Sequence, residues 1–121
     1  MADDLAFTSA VELARQIRRG ERSPVDVIEA TLARIEARND DTNAFVRVTA
    51  DRAREHAAAA ERALAAGEDI GPLHGVPVAI KDLDHVAGVP TTFGSRMMEG
   101  YVPDQSSLFV ERNRTSSLSL S

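Results

Sequence analysis

The sequence predicts an α/β chain in which helices fill the first half and short strands and loops fill the second. Three observations indicate this division. Capping residues precede apolar positions at helical spacing as far as residue 66. Two short segments, 43–48 and 76–80, have the composition of strands, and glycine and proline recur from Gly67 onward. The 121 residues suit one domain or one piece of a larger domain.

The first helix is predicted to start after Ser9. Ser9 and Glu12 have the Ser-x-x-Glu spacing of a capping box, in which two side chains satisfy backbone amides that lack partners at a helix start. Gly20 is its predicted end, because glycine readily adopts the left-handed conformation that follows many helices. The apolar positions between them recur at helical spacing, at Val11, Leu13, Ala14 and Ile17.

The second helix has the clearest start in the chain. Ser23 can cap it, Pro24 occupies the first helical position, and Asp26 lies where a carboxylate interacts favourably with the helix dipole. Its predicted end is the polar sequence Asn39-Asp40-Asp41. The apolar stripe of this helix consists of Ile28, Thr31, Leu32 and Ile35.

The third helix is predicted from Ala50 to Ala66, with Thr49 as its cap and Gly67 after its last turn. Its run of four alanines, 57–60, has high helix propensity but little volume. Such a helix either packs closely against a neighbour or lies largely exposed.

Two segments are predicted to be strands. Residues 43–48 are short and rich in β-branched side chains. Residues 76–80 are apolar and are flanked by loops that contain glycine, of which 88–95 is predicted to be irregular. Alternation along the second strand puts Val76, Val78 and Ile80 on one face, and Pro77, Ala79 and Lys81 on the other.

Composition excludes several classes of protein. The net charge of −5 argues against a nucleic-acid-binding surface. The absence of cysteine excludes a disulfide scaffold and thiol catalysis. No apolar run approaches the length of a membrane span, and the first ten residues contain no basic residue, so we expect a cytoplasmic protein without a secretory signal. The acidic, alanine-rich usage suits a salt-rich cytoplasm or a GC-rich genome.

Lys81 is the main candidate for chemistry. It is the only lysine in a chain that otherwise uses arginine for its basic residues. A lysine in a low-dielectric site can lose its proton and act as a general base, whereas arginine stays protonated. Lys81 also follows an apolar strand, and sites tend to form at that end of strands. The alternative interpretation is a structural lysine paired with Asp82 or a neighbouring carboxylate at the strand end.

The other candidate groups give weaker signals. His74, Asp82, Asp84 and His85 have side chains that can bind metal, but their spacing is equally typical of a polar loop. None of the serines lies in a Gly-x-Ser-x-Gly nucleophile motif, so turn or capping roles are the simpler interpretation of Ser95, Ser106 and Ser107.

Two blocks of sequence, Gly71–Asp82 and Gly88–Ser95, resemble the amino-terminal half of the amidase signature family. The resemblance implies a mixed β-sheet covered by helices and hydrolysis of a carboxamide to an acid and ammonia. It implies a serine nucleophile, a bridging cis-serine and a lysine that transfers protons, and Lys81 matches that lysine. It implies no cofactor and no metal, and the expected ligand of the full-length form is a small amide.

The resemblance runs from about Ser9 to Arg112. We therefore predict that residues 1–112 are the amino-terminal part of an amidase domain and that 113–121 form a non-homologous, disordered tail. Asp84-His85 also replaces a pair that is commonly apolar and acidic in the family. The tail serines lack flanking glycines, so no catalytic role is assigned to Ser116, Ser117, Ser119 or Ser121. The 121 residues alone are expected to be inactive.

Two alternatives to a free-standing amidase stay open. The same blocks resemble the amidase subunit of a glutamine-dependent tRNA amidotransferase equally well. The chain could also be a non-catalytic interaction fragment, an interrupted or frameshifted gene product, or an incompletely recorded sequence. The oligomeric state and the substrate are not predicted.

Overall fold

Helices account for most of the regular structure in the computed structural model, which describes residues 5–114 and 118–120. In chain order the elements are α1 (Ala10–Arg18), α2 (Pro24–Thr42), α3 (Ala50–Ala65), β1 (Pro77–Ala79), a 3₁₀ turn (Arg96–Met98), α4 (Leu108–Arg114) and β2 (Leu118–Leu120). No helix in the described part of the chain is long and apolar enough to cross a membrane.

The first two helices start where the sequence predicts. Ser9 Oγ accepts a hydrogen bond from Glu12 N at 3.2 Å, and Ser23 Oγ accepts from the amide nitrogens of Val25 and Asp26 at 3.1 and 3.4 Å. Only one half of the predicted capping box forms at α1. The carboxylate of Glu12 instead accepts hydrogen bonds from Arg15 Nε and from Gln16 Nε2, both at 2.8 Å.

The helix ends follow the sequence less closely. Gly20 has a φ of +73° and follows α1 as predicted. The second helix continues past the predicted polar end and reaches Thr42, where Asn43 in the left-handed conformation stops it at a φ of 48°. Thr49 precedes α3, but its side chain makes no capping hydrogen bond, so that part of the prediction is wrong.

The alanine run of α3 packs closely against α2. Ala53 and Ala57 have no exposed surface, and Ile28 and Leu32 of α2 lie against them in one apolar cluster. Small side chains let the two helix backbones approach, so low side-chain volume is what this contact requires. Of the two arrangements that the sequence allows for α3, close packing is the one found.

A second apolar cluster joins α1, α2 and the start of the sheet. Ile17 of α1 and Val27 of α2 are buried together with Val76, which directly precedes β1. This contact fixes the position of the strand relative to the helices, and therefore the position of the residues that follow it.

The described strands form a two-stranded parallel sheet, in which Pro77, Val78 and Ala79 pair with Leu118, Ser119 and Leu120. Two predictions are wrong here. Residues 43–48 form no strand, since the left-handed Asn43 turns the chain and no described strand pairs with them. The prediction of a disordered tail is wrong for Asn113 and Arg114, which belong to α4. It is also wrong for residues 118–120, which form β2 because the edge of β1 supplies backbone hydrogen bonds. Residues 115–117 and 121 lie outside the described residues.

Candidate active site

Lys81 lies two residues beyond the end of β1, because the strand stops at Ala79 and not at Ile80 as the sequence predicts. Its side chain is exposed and lines a groove of about 440 Å³. Phe45 lines the same groove from the segment that follows α2. The charged residues that line the groove are Arg47, Lys81, Asp82 and Asp84. Lys81 has been interpreted as a general base and as a structural ion-pair partner, and this arrangement bears on both interpretations.

The carboxylate of Asp82 binds the loop that returns past the strand end. Its Oδ1 accepts a hydrogen bond from Thr92 N at 2.8 Å, and its Oδ2 accepts one from Thr92 Oγ1. The main chain adds a third link, because Phe93 N donates to the carbonyl oxygen of Asp82 at 3.0 Å. The hydrogen bond from the Thr92 hydroxyl lowers the pKa of Asp82, against the opposing effect of desolvation, and nearby Arg47 lowers it further.

The structural interpretation of Lys81 as the ion-pair partner of Asp82 is therefore wrong for this structure. Within residues 5–114, no salt bridge joins Lys81 to a carboxylate, and Thr92 occupies both oxygens of Asp82. The prediction that Lys81 lies in a low-dielectric site is not met either, because the described residues leave its side chain exposed. Any desolvation of this lysine requires atoms from beyond the described residues.

Hydrogen bonds across the loop from 82 to 107 fix its irregular path. Arg52 Nη1 of α3 donates to the carbonyl oxygen of Ala87 at 2.8 Å, and Thr91 N donates to the carbonyl oxygen of Tyr101 at 2.9 Å. The ring of His85 lies between two aromatic rings, with centroids 5.6 Å from Phe93 and 5.7 Å from Tyr101. The loop that carries Thr92 is thus anchored to a helix and to itself.

The four potential metal ligands are not brought together. His74 Nε2 lies 2.8 Å from the carbonyl oxygen of Ala60 in α3, while His85 packs between aromatic rings. Among the described residues, no three histidine or acidic side chains are grouped as a metal site would require. The positions of these four residues agree with the interpretation that they are polar loop residues.

The serines that the structure describes outside the tail have the capping and turn roles expected of them. Ser95 Oγ accepts from Met97 N at 3.3 Å, and Ser107 Oγ accepts from Val110 N at 3.4 Å. Ser106 Oγ accepts from Ala87 N at 2.9 Å and so joins the two ends of the loop. Of the tail serines, Ser119 pairs with Val78 in the sheet, while Ser116, Ser117 and Ser121 lie outside the described residues.

Comparison with known proteins finds matches to this chain in sequence and in fold. A family model described as amidase matches residues 26–119, which is most of the chain. The chain belongs to the amidase family. The resemblance seen in the sequence is thereby confirmed, and the match extends beyond Arg112, where that resemblance was expected to stop. The division of this amidase-family chain at residue 112 stays a prediction.

Individual relatives match this chain over only part of their own length. A glutamyl-tRNA(Gln) amidotransferase subunit of Salinispora arenicola is 46% identical over 111 residues, which cover 92% of this chain and 23% of that protein. A solved bacterial aryl acylamidase of the amidase signature family is 34% identical, covers 94% of this chain and 24% of its own, and has a TM-score of 0.87. Fatty acid amide hydrolase has a TM-score of 0.91 over 98% of this chain and 21% of its own, and at 23% identity this likeness shows the fold alone.

Two facts follow from these comparisons. The α/β fold class predicted from the sequence is confirmed, because the solved amidases share this arrangement of helices and strands. The amidase-family chain also spans only about a quarter of the length of the relatives that it matches.

Sequence reasoning missed Thr92 as part of the site. It lies ten residues from Asp82 and within a loop that has no periodicity, so no local spacing connects the two. The one available signal is the predicted irregular loop itself, in which a threonine next to a glycine-containing turn is a common hydrogen-bond donor. Arg47 was also missed, because its segment was predicted to be a strand.

Proposed function

We propose that this amidase-family chain belongs to a hydrolase that cleaves a carboxamide C–N bond to give an acid and ammonia, with Lys81 as the proton-transfer residue. One observation carries the proposal: the only lysine of the chain lies two residues beyond β1 and lines a groove without an ion-pair partner among residues 5–114. A lysine in this position can be made neutral by desolvation, and arginine cannot replace it in that role.

The chemistry needs a nucleophile, and no serine of the described residues lines the groove beside Lys81. Ser95 and Ser107 accept hydrogen bonds from backbone amides, and the tail serines lack neighbouring glycines. By the family resemblance, a serine and a bridging serine from the full-length amidase would meet Lys81 in the groove. The neutral amine would take the proton of the serine hydroxyl and return it to the leaving ammonia.

The decisive variants are Lys81→Ala and Lys81→Arg in the full-length protein that carries this chain. Both should lower kcat for ammonia release from carboxamides by about 10²–10⁴-fold, because alanine removes the base and arginine stays protonated. Arg96→Ala is the matched control, since it removes the other basic residue between Gly67 and Val110 and should leave kcat unchanged. Turnover within about threefold of wild type in both lysine variants would sink the proposal.

The isolated 121-residue chain provides a second test. We expect it to release no ammonia and to resist labelling by a serine-directed fluorophosphonate, because it has no activated serine. Labelling that survives in Lys81→Ala but disappears in a serine variant would show a different catalytic machinery in this chain. If Lys81→Ala changes nothing in the full-length protein either, the non-catalytic interaction fragment becomes the better account.

A second candidate is the amidase subunit of a tRNA amidotransferase. The sequence favours it, because the Salinispora arenicola amidotransferase subunit is more similar to this chain than the solved aryl acylamidase is, at 46% against 34% identity. An amidotransferase subunit should hydrolyse glutamine and pass the ammonia to a partner protein, with activity that rises when the partner is added. A free-standing amidase should hydrolyse simple amides at the same rate with or without such a partner.

The proposal also includes a cytoplasmic location and a small amide as the ligand, without nucleic-acid contact by this part of the protein. The net charge of −5 supports the absence of nucleic-acid contact. Cell fractionation with an antibody against the chain tests the location.

A further inference from the structure

Two opposite charges lie next to each other in the chain at the end of β1, yet they do not pair. The carboxylate of Asp82 is bound through one oxygen to the backbone of Thr92 and through the other to its hydroxyl. The amine of Lys81 stands exposed in the groove, with no salt bridge to a carboxylate within residues 5–114. Thr92 therefore binds both oxygens of Asp82 and fixes the direction in which the carboxylate points.

Both donors from Thr92 act on a carboxylate that is ionised in the fold. Hydrogen bonds to a charged acceptor are stronger than those between neutral groups, so Asp82 is held firmly. Arg47 lines the same groove and adds a favourable charge near Asp82. The remaining charged group of the groove is Asp84, whose amide nitrogen donates to the carbonyl oxygen of Lys81 at 2.9 Å.

We propose that Thr92 is a positioning residue that holds the carboxylate of Asp82 away from Lys81, so that the lysine amine stays available to accept a proton. The inference rests on the proposed role of Lys81 in proton transfer. Its physical basis is that a carboxylate beside an ammonium group stabilises the protonated amine. Without the Thr92 hydroxyl, one oxygen of Asp82 loses its donor and can turn towards the adjacent ammonium.

The single lysine makes this inference measurable in the 121-residue chain itself. Only an unprotonated amine reacts with an acylating reagent, so the rate of acetylation by N-hydroxysuccinimidyl acetate follows the deprotonated fraction of Lys81. Mass spectrometry of the peptide that contains Lys81 separates this reaction from acetylation of the amino terminus. The rate is measured from pH 7 to pH 12 for each variant.

Thr92→Val should move the midpoint of the rate profile upward by about 0.2–0.7 pH units, which corresponds to a rate about 1.5–5-fold lower below the midpoint. Thr92→Ser keeps the hydroxyl and should restore the wild-type profile. The double variant Asp82→Asn/Thr92→Val should also return the midpoint to the wild-type value, because no carboxylate is left at 82 to pair. Asp84→Asn in the Thr92→Val background is the matched control and should leave the shift in place.

Two results would overturn the inference. The first is an unchanged midpoint in Thr92→Val when the amide NMR spectrum shows that the loop keeps its fold. The second uses Asp82→Asn alone, which remains informative if the threonine variant fails to fold. This variant should leave the midpoint of Lys81 unchanged, so a fall of about 0.2–0.7 units would show that Asp82 already pairs with the lysine. Because acetylation needs no turnover, either outcome is independent of the activity test of Lys81.

Discussion

A single methyl group added at Gly75 would disturb the path of the chain into β1. Its φ is +81°, and a Cβ built there would lie 3.1 Å from Pro24 Cγ and 3.2 Å from two side-chain carbons of Ile17. Both neighbours are buried, so neither can move away without disturbing the cluster that joins α1, α2 and the strand. Gly75→Ala thus combines backbone strain with crowding.

The expected loss of stability can be estimated from these two contributions. A left-handed conformation costs a residue with a side chain about 1–2 kcal/mol. Crowding in a packed interior adds about 1–3 kcal/mol. Restriction of the unfolded chain by alanine offsets about 0.4–1 kcal/mol. We therefore expect Gly75→Ala to lower the free energy of unfolding by about 1–4.6 kcal/mol, taken as the sum of these terms.

Gly20→Ala provides the control. Gly20 has a similar φ of +73°, but no atom lies within 4 Å of the position that its Cβ would take. It should lose only the backbone part, about 0–1.6 kcal/mol after the same offset. Urea unfolding followed by far-ultraviolet circular dichroism measures both variants. Equal losses of unfolding free energy in the two variants would show that contact with Ile17 and Pro24 adds nothing to the cost of a side chain at position 75.

Two further predictions concern the helices. Ala57→Leu should lower the free energy of unfolding by about 1–3 kcal/mol, because the buried contact between α2 and α3 has no room for a larger side chain. Ala59→Leu, on the exposed face of α3, should change the free energy of unfolding by less than about 0.5 kcal/mol. Hydrogen bonds from Arg15 and Gln16 lower the pKa of Glu12 from 4.5 to about 2, so the stability they contribute is complete above pH 4.5 and is lost as the pH falls towards 2. As the pH falls across that range, the urea midpoint should fall by more in the wild-type protein than in Glu12→Gln. An equal fall in the two proteins would rule out a contribution of Glu12 to this pH dependence.

Much of the helical part could be predicted from the sequence because its determinants are local. The hydrogen bonds that Ser9 and Ser23 accept span three residues or fewer, and the stop at Gly20 depends on the conformation of one residue. The predicted strand at 43–48 failed for the complementary reason. Its composition suits a strand, but a strand exists only when another pairs with it, and β1 pairs with β2 instead.

The candidate site also has some features that are local in the sequence and others that depend on tertiary packing. The sequence by itself determined that the chain has one lysine, that this lysine follows an apolar strand, and that the surrounding blocks resemble an amidase. Only the tertiary structure decided which partner the neighbouring Asp82 takes. That choice depends on the return of a loop that brings Thr92 within 2.8 Å from ten residues away, and on helices that anchor the loop. Local spacing carries no information about such a contact, because it is set by the packing of the whole chain.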